Sequence, residues 1–129
     1  MAGASMLPRA AIGKMNPKEQ RLTNGIPQMT VQELKRRLDA GQDVMILDVR
    51  EPYEYQIANI GGTLIPQNEV PRRLSEIDRN REIVVQCRSG ARSQRIAEFL
   101  VQQGYNKVNN LAGGILAWAD QIDPKITKY

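Results

Sequence analysis

The residues best placed for covalent chemistry in this 129-residue chain sit in one short stretch, Cys87-Arg88-Ser89-Gly90-Ala91-Arg92-Ser93. Cys87 is the single cysteine, and there is no histidine. The stretch leaves an apolar run, Ile83-Val84-Val85-Gln86, and runs into a helical pattern in which Ile96, Phe99 and Leu100 share a face. A cysteine in that position faces a helix N-terminus, where the first amides lack intrahelical partners and the dipole is positive, so an anion is stabilised. Gly90 permits backbone angles that curl successive N–H groups inward. Arg88 and Arg92 add permanent positive charge. All three effects lower a thiol pKa, and the thiolate is the nucleophile. A lone free cysteine at a strand end is most often a small buried hydrophobe. Two arginines within five residues turn the reading towards a reactive thiol, because burying them around an inert one is costly. With no imidazole in the chain, Ser-His-Asp and Cys-His catalysis are excluded, and electrostatic activation is the one route open.

The elements that must position this loop follow from periodicity. Thr30-Val31-Gln32-Glu33 fits a capping box, Val31, Leu34 and Leu38 follow at helical spacing, and Gly41 ends the helix. Val44 to Val49 reads as a buried strand, Pro52 to Gln56 as a turn or short helix, and Thr63 to Pro66 as a brief extended piece. Val70 to Ile77 reads as an amphipathic helix, Ile83 to Gln86 as a second strand, and Arg92 to Gln103 as a helix closed by Gly104. Lys107 to Leu111 is a further strand and Gly114 to Ile122 a last helix. Alternating strands and helices over about 100 residues predict an α/β fold with a mainly parallel sheet of about five strands and helices on both faces. In such sheets the site lies at the carboxyl edge of the strands, which places Asp48 and Arg50 near Cys87.

Composition bounds the alternatives. At 41% hydrophobic and 25% charged the chain suits one globular domain with its own core, and one cysteine rules out an intrachain disulfide. A metal site built from protein side chains is not expected without histidine, and no cofactor is implied. The net charge is +4, but residues 1–29 hold +3 of it through Arg9, Lys14, Lys18 and Arg21 against Glu19. The remaining +1 gives no nucleic-acid surface. No stretch is apolar enough to span a bilayer, and Pro8 and Arg9 interrupt any secretory h-region. Residues 1–18 lack acidic side chains, as organellar presequences do, but are poor in Arg and Ser. Residues 1–25, with Pro8, Gly13, Pro17, Asn24 and Gly25, read as a flexible arm before a domain at 26–129. The expected setting is a cytoplasmic monomer. Lys35-Arg36-Arg37 reads as a solvated helix face, Trp118 as core, and Gly113-Gly114 as a tight strand-to-helix turn. Of Tyr53 and Tyr55, one is expected to be exposed at the mouth.

The loop Cys87–Ser93 resembles the active-site loop of the rhodanese (sulfurtransferase) family. Asp48-Val49-Arg50-Glu51-Pro52-Tyr53-Glu54-Tyr55 is similar to that family's first signature, and Leu111-Ala112-Gly113-Gly114-Ile115-Leu116-Ala117-Trp118 to its C-terminal one. The resemblance spans roughly residues 28–129. Ile26-Pro27-Gln28-Met29-Thr30 and the ending from Ala119 to Tyr129 also resemble the rhodanese domain that closes adenylyltransferase–sulfurtransferase proteins. These 129 residues hold no adenylating domain, so the chain is a stand-alone relative or a piece. The resemblance implies that Cys87 takes sulfane sulfur from thiosulfate or a persulfide donor, becomes a persulfide, and yields the sulfur to an acceptor. The amides of Arg88, Ser89, Gly90, Ala91, Arg92 and Ser93 would cradle the charged sulfur, while Arg88 and Arg92 orient an anionic donor. Implied partners are that small anionic donor and a sulfur-acceptor protein. Asp48 either braces Arg92 or the loop, or forms an ordinary strand-end ion pair. One departure stands out: the family usually has Gly-His-Ile-Pro-Gly-Ala where this chain has Ala58-Asn59-Ile60-Gly61-Gly62-Thr63. The loss of His and Pro predicts a looser mouth.

Two rival readings remain. A Cys-based phosphatase or arsenate reductase also uses strand, Cys loop, Arg and helix. Here four residues separate Cys87 from Arg92, whereas the tyrosine-phosphatase pattern has five, and the shorter ring crowds a tetrahedral phosphate. The other rival is a docking or regulatory module of the same fold with little turnover.

Overall fold

A computed structural model describes residues 25–129 of the chain. The arm expected over residues 1–25 lies, Gly25 apart, outside the described residues. The remainder forms five strands in the spatial order β1-β5-β4-β2-β3, every neighbouring pair parallel. The elements run β1 (Gln28–Met29), α1 (Val31–Asp39), β2 (Val44–Asp48), α2 (Pro52–Ile57), β3 (Thr63–Leu64), a 3-10 segment (Gln67–Glu76), β4 (Glu82–Gln86), α3 (Ala91–Gln102), β5 (Val108–Leu111) and α4 (Gly114–Gln121).

The central strands are apolar on both faces because both are covered. Ile83 and Val85 of β4 join Met45, Leu47, Ile96, Ala97 and Leu100 in one cluster, beneath α3 and the 3-10 segment. Val84 points the other way and meets Val31, Leu34, Val44, Leu111 and Trp118, beneath α1 and α4. Trp118 is therefore core packing, as its sequence context predicts. The Thr30 hydroxyl accepts the Glu33 N–H at 3.1 Å and caps α1. The Glu33 carboxylate turns to Arg36 and Arg37, and Lys35 pairs with Asp39, which makes the basic run a solvated, ion-paired face.

Two expectations need correction. The segment around Val70–Ile77 is not an amphipathic α-helix but a succession of 3-10 turns over Gln67–Glu76, broken at Arg73 (φ −119°, ψ 24°). Pro71 lies inside it; proline has no N–H to extend an α ladder, and its ring clashes with the carbonyl four residues back. Val70 and Ile77 still reach the core, because apolar spacing of three to four residues serves either helix type. The second is the capping box at Thr30–Glu33: Thr30 caps α1, but the Glu33 carboxylate is taken by Arg36 and Arg37. β1 is an addition that periodicity does not show. Its Gln28 and Met29 pair with Asn110 and Leu111, and two residues are too few to show a period.

With all strands parallel, the loops after β2, β4 and β5 emerge at one edge. The turn between β5 and α4 packs directly on the loop between β4 and α3. Gly114, at φ +59°, has no room for a side chain: a Cβ there would lie 2.4 Å from the Cys87 carbonyl oxygen and 2.5 Å from that of Arg88. We therefore expect Gly114→Ala to destabilise the protein by about 2 kcal/mol or more, read by urea unfolding, from overpacking and an unfavourable φ together. Stability within error of the unmodified protein would show that the two loops are not locked together.

Candidate functional site

The loop Cys87–Ser93 closes around its own sulfur. Gly90, at φ +109°, is the N-cap of α3, and its N–H donates to Cys87 Sγ at 3.1 Å. Three residues into the helix the Ser93 N–H donates to the same atom at 3.4 Å, and the Ser93 hydroxyl lies 3.3 Å from it. Sγ thus occupies the place that a capping oxygen takes at other helix starts. Burial pushes the thiol up. The hydrogen bonds from the Ser93 hydroxyl and N–H and from the Gly90 and Ser89 amides outweigh that and hold it below the ordinary thiol value. Cys87 is 1% exposed. It packs against the apolar cluster on one side and meets the ring of donors on the other.

The inward N–H groups require the carbonyls to go elsewhere. Those of Cys87 and Arg88 accept the N–H groups of Ile115 (2.9 Å) and Leu116 (3.1 Å) in the first turn of α4. The Gly90 carbonyl accepts from the Gln94 N–H at 3.2 Å and from Asn110 Nδ2 at 3.2 Å. Gly113-Gly114 is accordingly a strand-to-helix turn, as read from the sequence, whose purpose is to bring α4 amides onto the cysteine loop.

The arginines are placed differently from expectation. Arg92 does not stand free over the sulfur: Nη1 and Nη2 donate to Glu54 Oε1 and Oε2 of α2 at 2.8 and 2.9 Å. This bidentate pairing with Arg92 holds the buried Glu54 carboxyl down at about 2, although burial opposes it. Arg88 donates through Nε (2.6 Å) and Nη2 to the main-chain oxygen of Tyr129, with its guanidinium carbon 5.2 Å from that ring's centroid. The lowering of the thiol is therefore chiefly the work of the loop amides and the Ser93 hydroxyl, with the guanidinium charges already partnered.

Asp48 and Arg50 come to the same edge, but not as a brace for Arg92. Asp48 accepts from Arg50 Nη2 at 2.6 Å and Nε at 2.9 Å, and both are fully buried. The Arg50 N–H and Gln86 Nε2 add two further donors at 3.1 and 2.9 Å. Arg50, two residues past the end of β2, folds back onto the strand-end carboxylate, and the carboxylate that reaches Arg92 is supplied by α2. Arg50 also donates to the carbonyls of Glu54 and Ala58 and to the Tyr129 hydroxyl, so it ties α2 to the sheet. Glu54 lay inside the first signature, but nothing in its spacing signals Arg92, 38 residues on. Tyr129, whose hydroxyl donates to Glu54 Oε2 at 2.9 Å, carried no sequence signal either, and nor did Asn110, which bonds Ser93.

The mouth segment is not slack. Asn59 Oδ1 accepts the Gly61 N–H at 2.9 Å, Asn59 Nδ2 donates to the Tyr55 carbonyl, and the Tyr55 hydroxyl donates to the Gly62 carbonyl at 2.8 Å. Asn59 makes its own turn in place of the missing proline. Tyr53 is the exposed tyrosine of the pair, at 65%.

Comparison with known proteins agrees with this geometry. Residues 30–121 match the family model of the rhodanese-like domain. A sulfurtransferase of Allochromatium vinosum is 45% identical over 89 residues, which cover 68% of this chain and 83% of that protein. The probable adenylyltransferase/sulfurtransferase MoeZ of Mycobacterium tuberculosis is 34% identical over 104 residues, 78% of this chain but only 26% of MoeZ. Among solved structures, a rhodanese-like domain protein from Staphylococcus aureus superposes with a TM-score of 0.70 at 30% identity, covering 81% of this chain and 99% of its own. A parallel α/β sheet with a cysteine held in an amide ring at its carboxyl edge, and relatives named for sulfur transfer, establish that this chain belongs to the rhodanese-like domain family.

Proposed function

We propose that the protein is a sulfurtransferase that carries sulfane sulfur as a persulfide on Cys87, taken from thiosulfate or another persulfide donor. The single observation that supports this most is the ring of donors on Sγ: two main-chain N–H groups at 3.1 and 3.4 Å and a hydroxyl at 3.3 Å around one sulfur. Such a ring favours charge on sulfur before attack, and on the transferred sulfur after it.

The step balances without a metal or redox cofactor. The Cys87 thiolate attacks the outer sulfur of thiosulfate, a new S–S bond forms, the S–S bond of the donor breaks, and its electron pair leaves with sulfite. An acceptor thiolate, or cyanide, then attacks the outer sulfur of the persulfide and returns Cys87 as thiolate. Two half-reactions through one covalent intermediate predict ping-pong kinetics. In this reading Arg88 and Arg92 orient the anionic donor, Arg88 by exchanging its Tyr129 partner for it and Arg92 from beside its Glu54 pair.

A phosphatase or arsenate-reductase reading loses support on the same ground. With four residues between Cys87 and Arg92 the loop amides close on the sulfur itself, and a ring of this size crowds a tetrahedral phosphate. The docking-module alternative draws on one observation, the enclosure of Cys87 at 1% exposure.

Three measurements check the proposal. Incubated with thiosulfate and weighed intact, the protein is expected to gain one sulfur atom that cyanide removes and that Cys87→Ser does not gain; an unmodified mass favours the docking module. Alkylation of Cys87 followed against pH is expected to show a midpoint below the free-thiol value of about 8.5. A midpoint at or above it removes the amide ring as an activating device. Arg92→Ala combined with Glu54→Gln, which avoids leaving a buried carboxylate unpaired, is expected to slow sulfur loading roughly 10- to 100-fold, the loss of one charge-assisted contact to the donor. Loading at the original rate in a folded double variant takes Arg92 out of the donor site.

A further inference from the structure

The Ser93 hydroxyl has one proton and two acceptors. It lies 3.3 Å from Cys87 Sγ and 2.5 Å from Asn110 Oδ1. Asn110 comes from β5, is buried, and its orientation is set: Nδ2 spends its two hydrogens on the Gly90 carbonyl (3.2 Å) and Gln28 Oε1 (2.9 Å). Gln28 is held in turn, its Nε2 donating to the Ile26 carbonyl and to Gln94 Oε1. The amide therefore cannot flip without exchanging two donors for an acceptor, and Oδ1 stays aimed at Ser93.

We propose that Asn110 is a positioning residue that competes with the sulfur for the single Ser93 hydroxyl proton, and so sets how strongly the loop holds charge on Sγ. The inference deepens the persulfide reading of the same site. While the sulfur is a thiol, S–H donates to Ser93 Oγ and the hydroxyl donates to Asn110, a directed chain in which every group is satisfied. When the thiol ionises, the hydroxyl turns to Sγ and Asn110 Oδ1 is left without a donor in a buried place, a cost charged against the thiolate. Once Sγ carries a second sulfur it is neutral, and the hydroxyl proton returns to Asn110. The acceptor thus keeps the thiolate from being so stable that it loses nucleophilicity, and evens the two ends of the transfer step.

The charged groups around the loop are Arg88, the Arg92–Glu54 pair, Arg95 of α3, which lines the cavity beside Ser89, Gly90 and Asn110, and the pair of Asp48 at the end of β2 with Arg50; Tyr129 is a further titratable group. The β5 side brings the uncharged Asn110, and the first turn of α4 has no ionisable side chain. Substitution of Asn110 leaves all of these in place.

The test is the pH dependence of Cys87 alkylation in the full, sulfur-free chain, in four forms: unmodified, Asn110→Leu, Ser93→Ala and the two combined. Asn110→Leu is expected to strengthen ionisation about threefold or more, since it frees the hydroxyl for the sulfur. In the Ser93→Ala background the same change is expected to shift nothing beyond about twofold, because the shared proton is gone. Asn110→Ala gives the same reading where the leucine variant does not fold. Unchanged or weakened ionisation in the Asn110 variants, or a shift that persists without the Ser93 hydroxyl, overturns the proposal. Sulfur gain by the unmodified protein is scored separately by mass. A failed coupling is thereby distinguished from a failed persulfide reading.

Discussion

A stretch of main chain that aims its N–H groups at one sulfur must dispose of its carbonyls on the outside, and the architecture around Cys87 is organised by that constraint. Buried carbonyls cannot be left unpartnered. Those of Cys87 and Arg88 are taken by the opening amides of α4, and that of Gly90 by Gln94 and Asn110. The C-terminal glycine pair is thus as much a part of the sulfur site as the cysteine loop itself. Gly114 has the close approach to the Cys87 and Arg88 carbonyls that only a residue without a Cβ permits.

Charge in the site is balanced in pairs. Asp48 with Arg50, and Glu54 with Arg92, each form two hydrogen bonds between carboxylate and guanidinium with little or no exposure of the carboxylate. Ion pairs of this kind contribute little net stability but strongly disfavour the loss of one member. Their structural effect is to fasten α2 to the sheet and to α3, so the segment carrying the exposed Tyr53 keeps a fixed place beside the loop. The groups that hydrogen-bond the thiol sulfur are neutral donors, the Gly90 and Ser93 N–H groups and the Ser93 hydroxyl.

What the sequence revealed depended on distance along the chain. The cysteine loop, the buried strands and the glycine turn are local patterns, and the physics that shapes them acts within a few residues. The partners that complete the site are not local. Glu54 and Arg92 are 38 residues apart, Ser93 and Asn110 17, and Arg88 and Tyr129 41, and each pair meets only through the tertiary fold, by α2 against α3, α3 against β5, and the stretch after α4 against the loop. Asp48 shows the local case: of the two roles its position allows, a brace for Arg92 or the loop and a strand-end ion pair, the structure shows the second, with a partner two residues away. The 3-10 segment reads as an α-helix because its apolar spacing satisfies two helix types and only Pro71 separates them.

The outermost strand is only two residues long, yet its Gln28 is hydrogen-bonded to Asn110, which is bonded to Ser93, which touches the sulfur. The margin of the sheet is therefore linked to Cys87 Sγ through three side chains. Residue 28, which would pass for a dispensable surface amide, fixes the side-chain amide that fixes the Ser93 hydroxyl, so the edge of the sheet bears on the environment of the cysteine without touching the loop that carries it.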